Sequence, residues 1–147
     1  MNAILRILVV LISTIIFSSV GNFTPDRVLM NTVFTVSGIM FSIGLGLIVN
    51  FNLYEIKNSW YLKRIRKNLN KVRNSFIFYF ALSTLCFLLF HYLLIPIFSV
   101  WVLKFDVSVL FLIVMLFSIG YYIVNLVELQ KLNDEIVDRI NREIEKQ

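Results

Sequence analysis

His91 and Cys86 are the chain's only histidine and cysteine, and both fall in a stretch, Asn74 to Leu103, that contains no Asp, Glu, Lys or Arg. An ionisable group at membrane depth reads first as a proton relay or gate. His91 lies sixteen residues beyond Ser75, about 24 Å of helical rise, which places it in the outer half of such a segment. No charged residue accompanies it there. A neutral histidine bonded to a Ser, Thr, Tyr or backbone carbonyl is therefore the weightier reading. Cys86 reads as a small core residue, because thiol reactivity needs an exposed, electropositive setting, and one cysteine excludes a disulfide framework.

The remaining stock of catalytic groups is thin. The sequence has no Gly-rich phosphate loop, no HExxH, no Cys/His metal spacing and no Ser/His/Asp constellation in a charged, soluble segment. The expectation is a protein that is not an enzyme, with no cofactor and no metal. No internal repeat is evident, which argues against an inverted-repeat transporter in a single copy.

A second pattern concerns small polar residues. Gly38, Ser42 and Gly46 recur every four positions, Asn31 and Thr35 precede them, and Asn50 follows. Spacing of this kind puts all six on one side of a helix. Glycine costs about 1 kcal/mol against alanine in a helix, so three of the chain's five glycines (Gly38, Gly44, Gly46) in one segment suggest a use. Small faces let helices approach closely in lipid. The stripe is thus either a packing seam, within the monomer or between copies, or the lining of an oligomeric pore. Asn125 lies one register below Tyr121, and the two suggest an interhelix hydrogen-bonding pair.

Composition names the elements that must position these residues. Of 147 residues, 59% are hydrophobic and 16% charged, against about 25% charged in an ordinary soluble domain. Mean hydropathy is +0.81. A bilayer core about 30 Å thick needs about 20 apolar residues per helix. Four stretches without Asp, Glu, Lys or Arg qualify: Ile7 to Pro25, Val28 to Tyr54, Asn74 to Leu103 and Val107 to Val127. Barrel strands would alternate apolar and polar residues; these stretches are apolar on all sides. The fold class expected is all-α and polytopic, with transmembrane helices near 5–23, 30–52, 75–96 and 106–127. Ser19, Val20 and Gly21 would also suit a signal-peptide cleavage site, but Arg6 alone is a weak basic start, which favours a retained helix. Pro96 lacks a backbone donor and should end or kink the third helix, or break it before Phe98–Leu103 runs along the interface.

Lys and Arg set the orientation. Lys57, Lys63, Arg64, Arg66, Lys67, Lys71 and Arg73 lie between the second and third helices. Lys131, Arg139, Arg142 and Lys146 follow the fourth, and Arg6 precedes the first. Only Arg27 and Lys104 occupy the opposite loops. Both termini are therefore expected inside. Trp101 and Tyr92 at the outer face, and Tyr54, Trp60 and Tyr61 at the inner one, suit interfacial belts. The formal charge of +5 resolves into a basic inner loop over 55–74 and a mildly acidic tail over 128–147. In the loop, Tyr61, Ile65, Leu69 and Val72 fall at helical spacing among the basic residues. Those charges hold the loop inside and would meet anionic lipid at the cytoplasmic face, or a protein partner. No nucleic-acid motif is present. The tail continues the fourth helix, with Leu129, Leu132, Ile136, Ile140 and Ile144 as one stripe. Such a stripe needs a partner: the basic loop, another protein in the cytoplasm or, as the preferred reading, a second copy's tail. Glu135 with Arg139, and Asp138 with Arg142, have the spacing of acid-before-base pairs.

This layout resembles that of small four-helix inner-membrane proteins of phage-exclusion systems, such as RexB of lambda Rex and KwaA of Kiwa. The resemblance rests on a short external loop (Gly21–Asn31), a Gly/Ser-bearing second helix (Gly38, Ser42, Gly46), a compact basic inner loop (Lys57–Arg73) and a charged helical tail. It implies a homo-oligomer in a bacterial cytoplasmic membrane that senses infection or forms a depolarising channel, with a soluble partner. The function expected is accordingly a channel or membrane sensor. The alternatives are an immunity or accessory subunit, as in the equally small and basic bacteriocin-immunity proteins, and a small transporter built on His91.

Overall fold

In the computed structural model, residues 3–21, 23–51, 53, 56, 58–92, 97–100 and 103–144 are described, and for 3–7, 20, 21, 97–100, 103, 104, 140, 141, 143 and 144 the backbone alone. The order is α1 (Ala3–Gly21), α2 (Arg27–Val49), α3 (Ser59–Tyr92), β1 (Ile97–Val100), β2 (Leu103–Asp106) and α4 (Val107–Ile144). Each long helix begins where a side chain satisfies the free N–H groups of its first turn. Asp26 accepts from Leu29 N at 2.7 Å, Asn58 from Trp60 N and Tyr61 N at 3.1 Å, and Asp106 from Ser108 N at 2.7 Å.

Three of these helices are long and apolar enough to cross a membrane: Arg27–Val49, Ser59–Tyr92 and the Val107–Arg139 part of α4. The apolar stretch of α1 over its described side chains is shorter, Leu8–Ser19. Of the four spans expected near 5–23, 30–52, 75–96 and 106–127, the last three thus have, among the described residues, the length and composition to cross. The expected third helix at 75–96 begins sixteen residues earlier, at Ser59, because the basic segment has no breaker and continues the same helix. Residues 59–74 of the loop expected at 55–74 are therefore a helical extension. Tail and fourth span are likewise one helix of 38 residues, about 57 Å long.

The segment before α4 is not helical over residues 97–100 and 103–106. It is an antiparallel hairpin pairing Ile97 with Asp106, Phe98 with Phe105, Ser99 with Lys104 and Val100 with Leu103. Its β-branched and aromatic residues suit a pleated ribbon. Asp106 N donates to Ser18 Oγ at 3.1 Å, tying α1 to the start of α4. Pro96 and Trp101 lie outside the described residues.

Helices α2, α3 and α4 pack on one another, and α1 packs on β2 and α4. Ring pairs set the α2–α3 direction: Phe34 stacks on Phe87 at 4.2 Å and Phe41 on Phe80 at 4.3 Å, which is antiparallel. Met30 and Val33 of α2 cluster with Leu112 and Met115 of α4, near the start of both helices. The surface is inverted relative to a soluble protein. Phe17, Phe78 and Val124 are 60%, 64% and 58% exposed, whereas Thr14, Ser37, Ser83 and Ser118 are fully buried. Lipid solvates large apolar side chains, so nothing drives them inward, and small residues at the contacts let backbones approach.

Candidate functional site

The polar stripe of α2 points away from the other helices. Asn31, Thr35, Ser42, Gly46 and Asn50 are exposed and Gly38 is half-buried. A Cβ on Gly46 would meet nothing within 4 Å, and one on Gly38 only the Phe80 ring at 3.8 Å. Thr35 Oγ1 donates to Asn31 O at 2.8 Å and Ser42 Oγ to Gly38 O at 2.9 Å. The stripe's hydroxyls are thus satisfied inside their own helix. Asn50 is the C-terminal cap, its N–H bonded to Gly46 O at 3.1 Å. Of the six, only Gly38 packs against a neighbouring helix, so most of the stripe takes no part in a seam within the monomer.

The seam of α2 within the monomer is instead Met30, Val33, Ser37 and Gly44. A Cβ on Gly44 would collide with the Phe76 ring of α3, so at this level the ring packs against a residue without a side chain. Phe76 in turn meets Tyr122 edge-on at 4.9 Å, and the Tyr122 hydroxyl donates to Phe76 O at 3.3 Å. Gly44, Phe76 and Tyr122 thereby lock three helices together at one level. The signal was present as the spacing of Met30, Val33, Ser37 and Gly44. From sequence, though, Gly44 could not be ranked above Gly46 two residues away.

Above this lock, the Phe34–Phe87 and Phe41–Phe80 stacks bracket Ser37 and Ser83. Both hydroxyls are buried without a hydrogen-bond partner. Ser118 donates to Val114 O at 2.9 Å.

His91 Nδ1 lies 3.1 Å from Phe87 O, one turn earlier; since a carbonyl only accepts, that nitrogen carries the proton. Its ring is 4.4 Å from that of Phe87. Asn125 Nδ2 donates to Tyr121 O at 2.8 Å within α4. The interhelix pair expected of these two is thus an intrahelical bond. The Tyr121 ring also reaches α3, 4.4 Å from that of Tyr79. Cys86 is buried and free. Among the described residues no group of three or more His, Cys, Asp and Glu could hold a metal.

At the start of α3 and the end of α4, the two helices run past their apolar stretches together. Ile65 and Leu69 of α3 bury against Leu129 and Ile136 of α4, with Tyr61, Val72 and Leu132 at the edges. Ile48, Phe51, Leu53 and Ile56, from the end of α2 and its connection, close the cluster. Arg139 lies over the Tyr61 ring at 4.4 Å. Leu129 and Ile136 of the tail stripe are therefore buried, and Leu132 half-buried, within the chain itself, where a second copy's tail was the preferred expectation. The physical reason is the α3 extension, which brings a matching apolar stripe alongside. Ile140 and Ile144 side chains lie outside the described residues. Lys63, Arg64, Arg66, Lys67, Lys71 and Arg73 are exposed, whereas Lys57 lies outside the described residues. Arg64 stands over Trp60 at 5.5 Å, and Arg142 Nε donates to Asp138 O at 3.2 Å.

Between α3 and α4, beside this cluster, runs an open groove of about 810 Å³. Lys71 and Ser75 form one wall; Phe117, Gly120, Val124 and Asn125 form the other. A shallower depression on the α3 side shares Lys71 and Ser75 and adds Lys67 and Asn74. No family model, curated protein or solved structure matches the chain.

Proposed function

We propose that the chain is a multi-pass membrane protein with four crossings and both ends inside. It self-associates through the outward polar face of α2 to act as a channel or membrane sensor. The observation that carries this reading is the stripe from Asn31 to Asn50: it is polar and small, lies on a helix able to span, and faces away from the monomer's own core. Two copies can approach closely there, since Gly46 is open and its neighbouring hydroxyls are already bonded. The fourth crossing is supported by α1, which packs along α4 from the Ser18 contact with the hairpin. Its 19 residues reach about 28 Å, close to the bilayer core thickness.

The mass of the full chain in mild detergent tests the assembly: a monomer overturns it. In that case an accessory or immunity subunit, presenting the same face to a different membrane protein, becomes the better reading. Gly46→Leu tests the axis. The side chain has room in the monomer, so folding should survive while assembly or the signal of a membrane-potential dye changes. Unchanged assembly and signal would remove the axial role. The resemblance to phage-exclusion membrane proteins extends the proposal to infection sensing in a bacterial cytoplasmic membrane. Plating efficiency of phage on cells with and without the chain tests that extension.

A further inference from the structure

The groove between α3 and α4 has a depth and a chemistry that fit one occupant. Arg73 is the last charged residue of α3 before its apolar stretch, and Glu128 is the first of α4 after its own, so this level marks the inner membrane surface. From Glu128 the groove descends to Phe117, eleven residues or about 16 Å of helix. That is about half of a 30 Å hydrocarbon core, the depth of a single leaflet. Phe117 and Val124 line the descent, and Gly120 leaves it open: a Cβ there would meet nothing within 4 Å. At the surface the character changes. Ser75 and Asn125 stand at the mouth, Lys71 beside them, and Lys67 one turn further out. Lys67 and Lys71 are exposed. Among the described lining residues Glu128 is the single acid.

The geometry points to a binding site for one anionic phospholipid of the inner leaflet. Its acyl chain lies over Gly120 between Phe117 and Val124, and its phosphate sits between Lys67 and Lys71. A helix from a second copy fits less well, because a continuous apolar helix would set its own backbone against two lysines. This inference rests on the membrane reading above and on the inner placement of the α3 and α4 extensions, but not on oligomerisation.

The test uses the full chain in nanodiscs of mixed phosphatidylglycerol and phosphatidylcholine, with retained lipid counted by native mass spectrometry after gentle extraction. One phosphatidylglycerol per chain is expected, favoured over phosphatidylcholine by at least about tenfold. Gly120→Phe, which fills the groove, should abolish retention. Gly120→Val serves the same purpose if the larger residue impairs folding, as judged by the thermal midpoint. Lys67→Gln with Lys71→Gln should bring the two lipids to parity, whereas Lys63→Gln, off the groove, should leave the preference intact. Equal retention of both lipids by the wild-type chain overturns the proposal. So does undiminished retention by a folded groove-filled variant, or dimers that Gly120→Phe converts to monomers. A chain recovered without detergent in the soluble fraction would instead sink the membrane reading, which separates the two failures.

Discussion

Gly44 and Gly46 are two residues apart on one helix, and their surroundings make opposite demands. A methyl at Gly44 strikes the Phe76 ring, whereas one at Gly46 enters open space. Gly44→Ala is expected to destabilise by about 1–3 kcal/mol, the usual cost of overpacking. Gly46→Ala should be neutral or stabilising by up to about 1 kcal/mol, through helix propensity. Thermal midpoints in one detergent compare them, and a Gly44→Ala midpoint equal to wild type would show that Phe76 moves aside freely. Ser37 and Ser83 offer a second contrast. A buried hydroxyl without a partner carries a desolvation cost of about 1–3 kcal/mol, so replacing both with alanine should raise the midpoint. A drop would mean that they hold a partner such as water. From composition alone these serines were indistinguishable from Ser42, which bonds to its own helix on the outside, since burial is a property of the neighbours.

The elements are held by two different forces. Within the membrane, lipid is as apolar as leucine, so α2, α3 and α4 cohere through close packing, ring stacking and the Tyr122–Phe76 bond. Beyond it, water drives Ile65, Leu69, Leu129 and Ile136 together, at about 1.5–3 kcal/mol for each fully buried side chain. Leu69→Ala is therefore expected to cost about 2–5 kcal/mol at that site and to loosen the inner extension ahead of the spans. Limited trypsin digestion would report this as faster cutting after Lys131 and Arg139, with the spans intact; unchanged cutting would show the cluster to be dispensable. At the other end, Asp106 caps α4 while its backbone N–H holds Ser18. Asp106→Ala should cost about 0.5–2 kcal/mol through the lost cap, read in hydrogen exchange at the first turn of α4. That hairpin was illegible beforehand, because four-residue strands inside an apolar stretch carry no periodicity distinct from a short helix.

For the whole molecule, the distribution of charge remains the strongest constraint. With Cys86 replaced by serine, Lys63→Cys and Lys131→Cys should react with a membrane-impermeant maleimide only after cells are opened, and Thr24→Cys should react in intact cells. The reverse pattern would invert the proposed topology. The apolar stretches, their helical state and the basic character of one connection were readable without any structure. Each depends on local composition, and the cost of burying a charge or an unbonded peptide in lipid acts on every residue separately. The turn of Asn31–Asn50 to the outside, the meeting of Gly44 with Phe76, the covering of Leu129 and Ile136 by Ile65 and Leu69, and the groove left by Gly120 belong to tertiary structure alone. They depend on how far each helix is rotated about its axis, and in lipid hydrophobicity does not set that rotation; the fit of one side chain against another does.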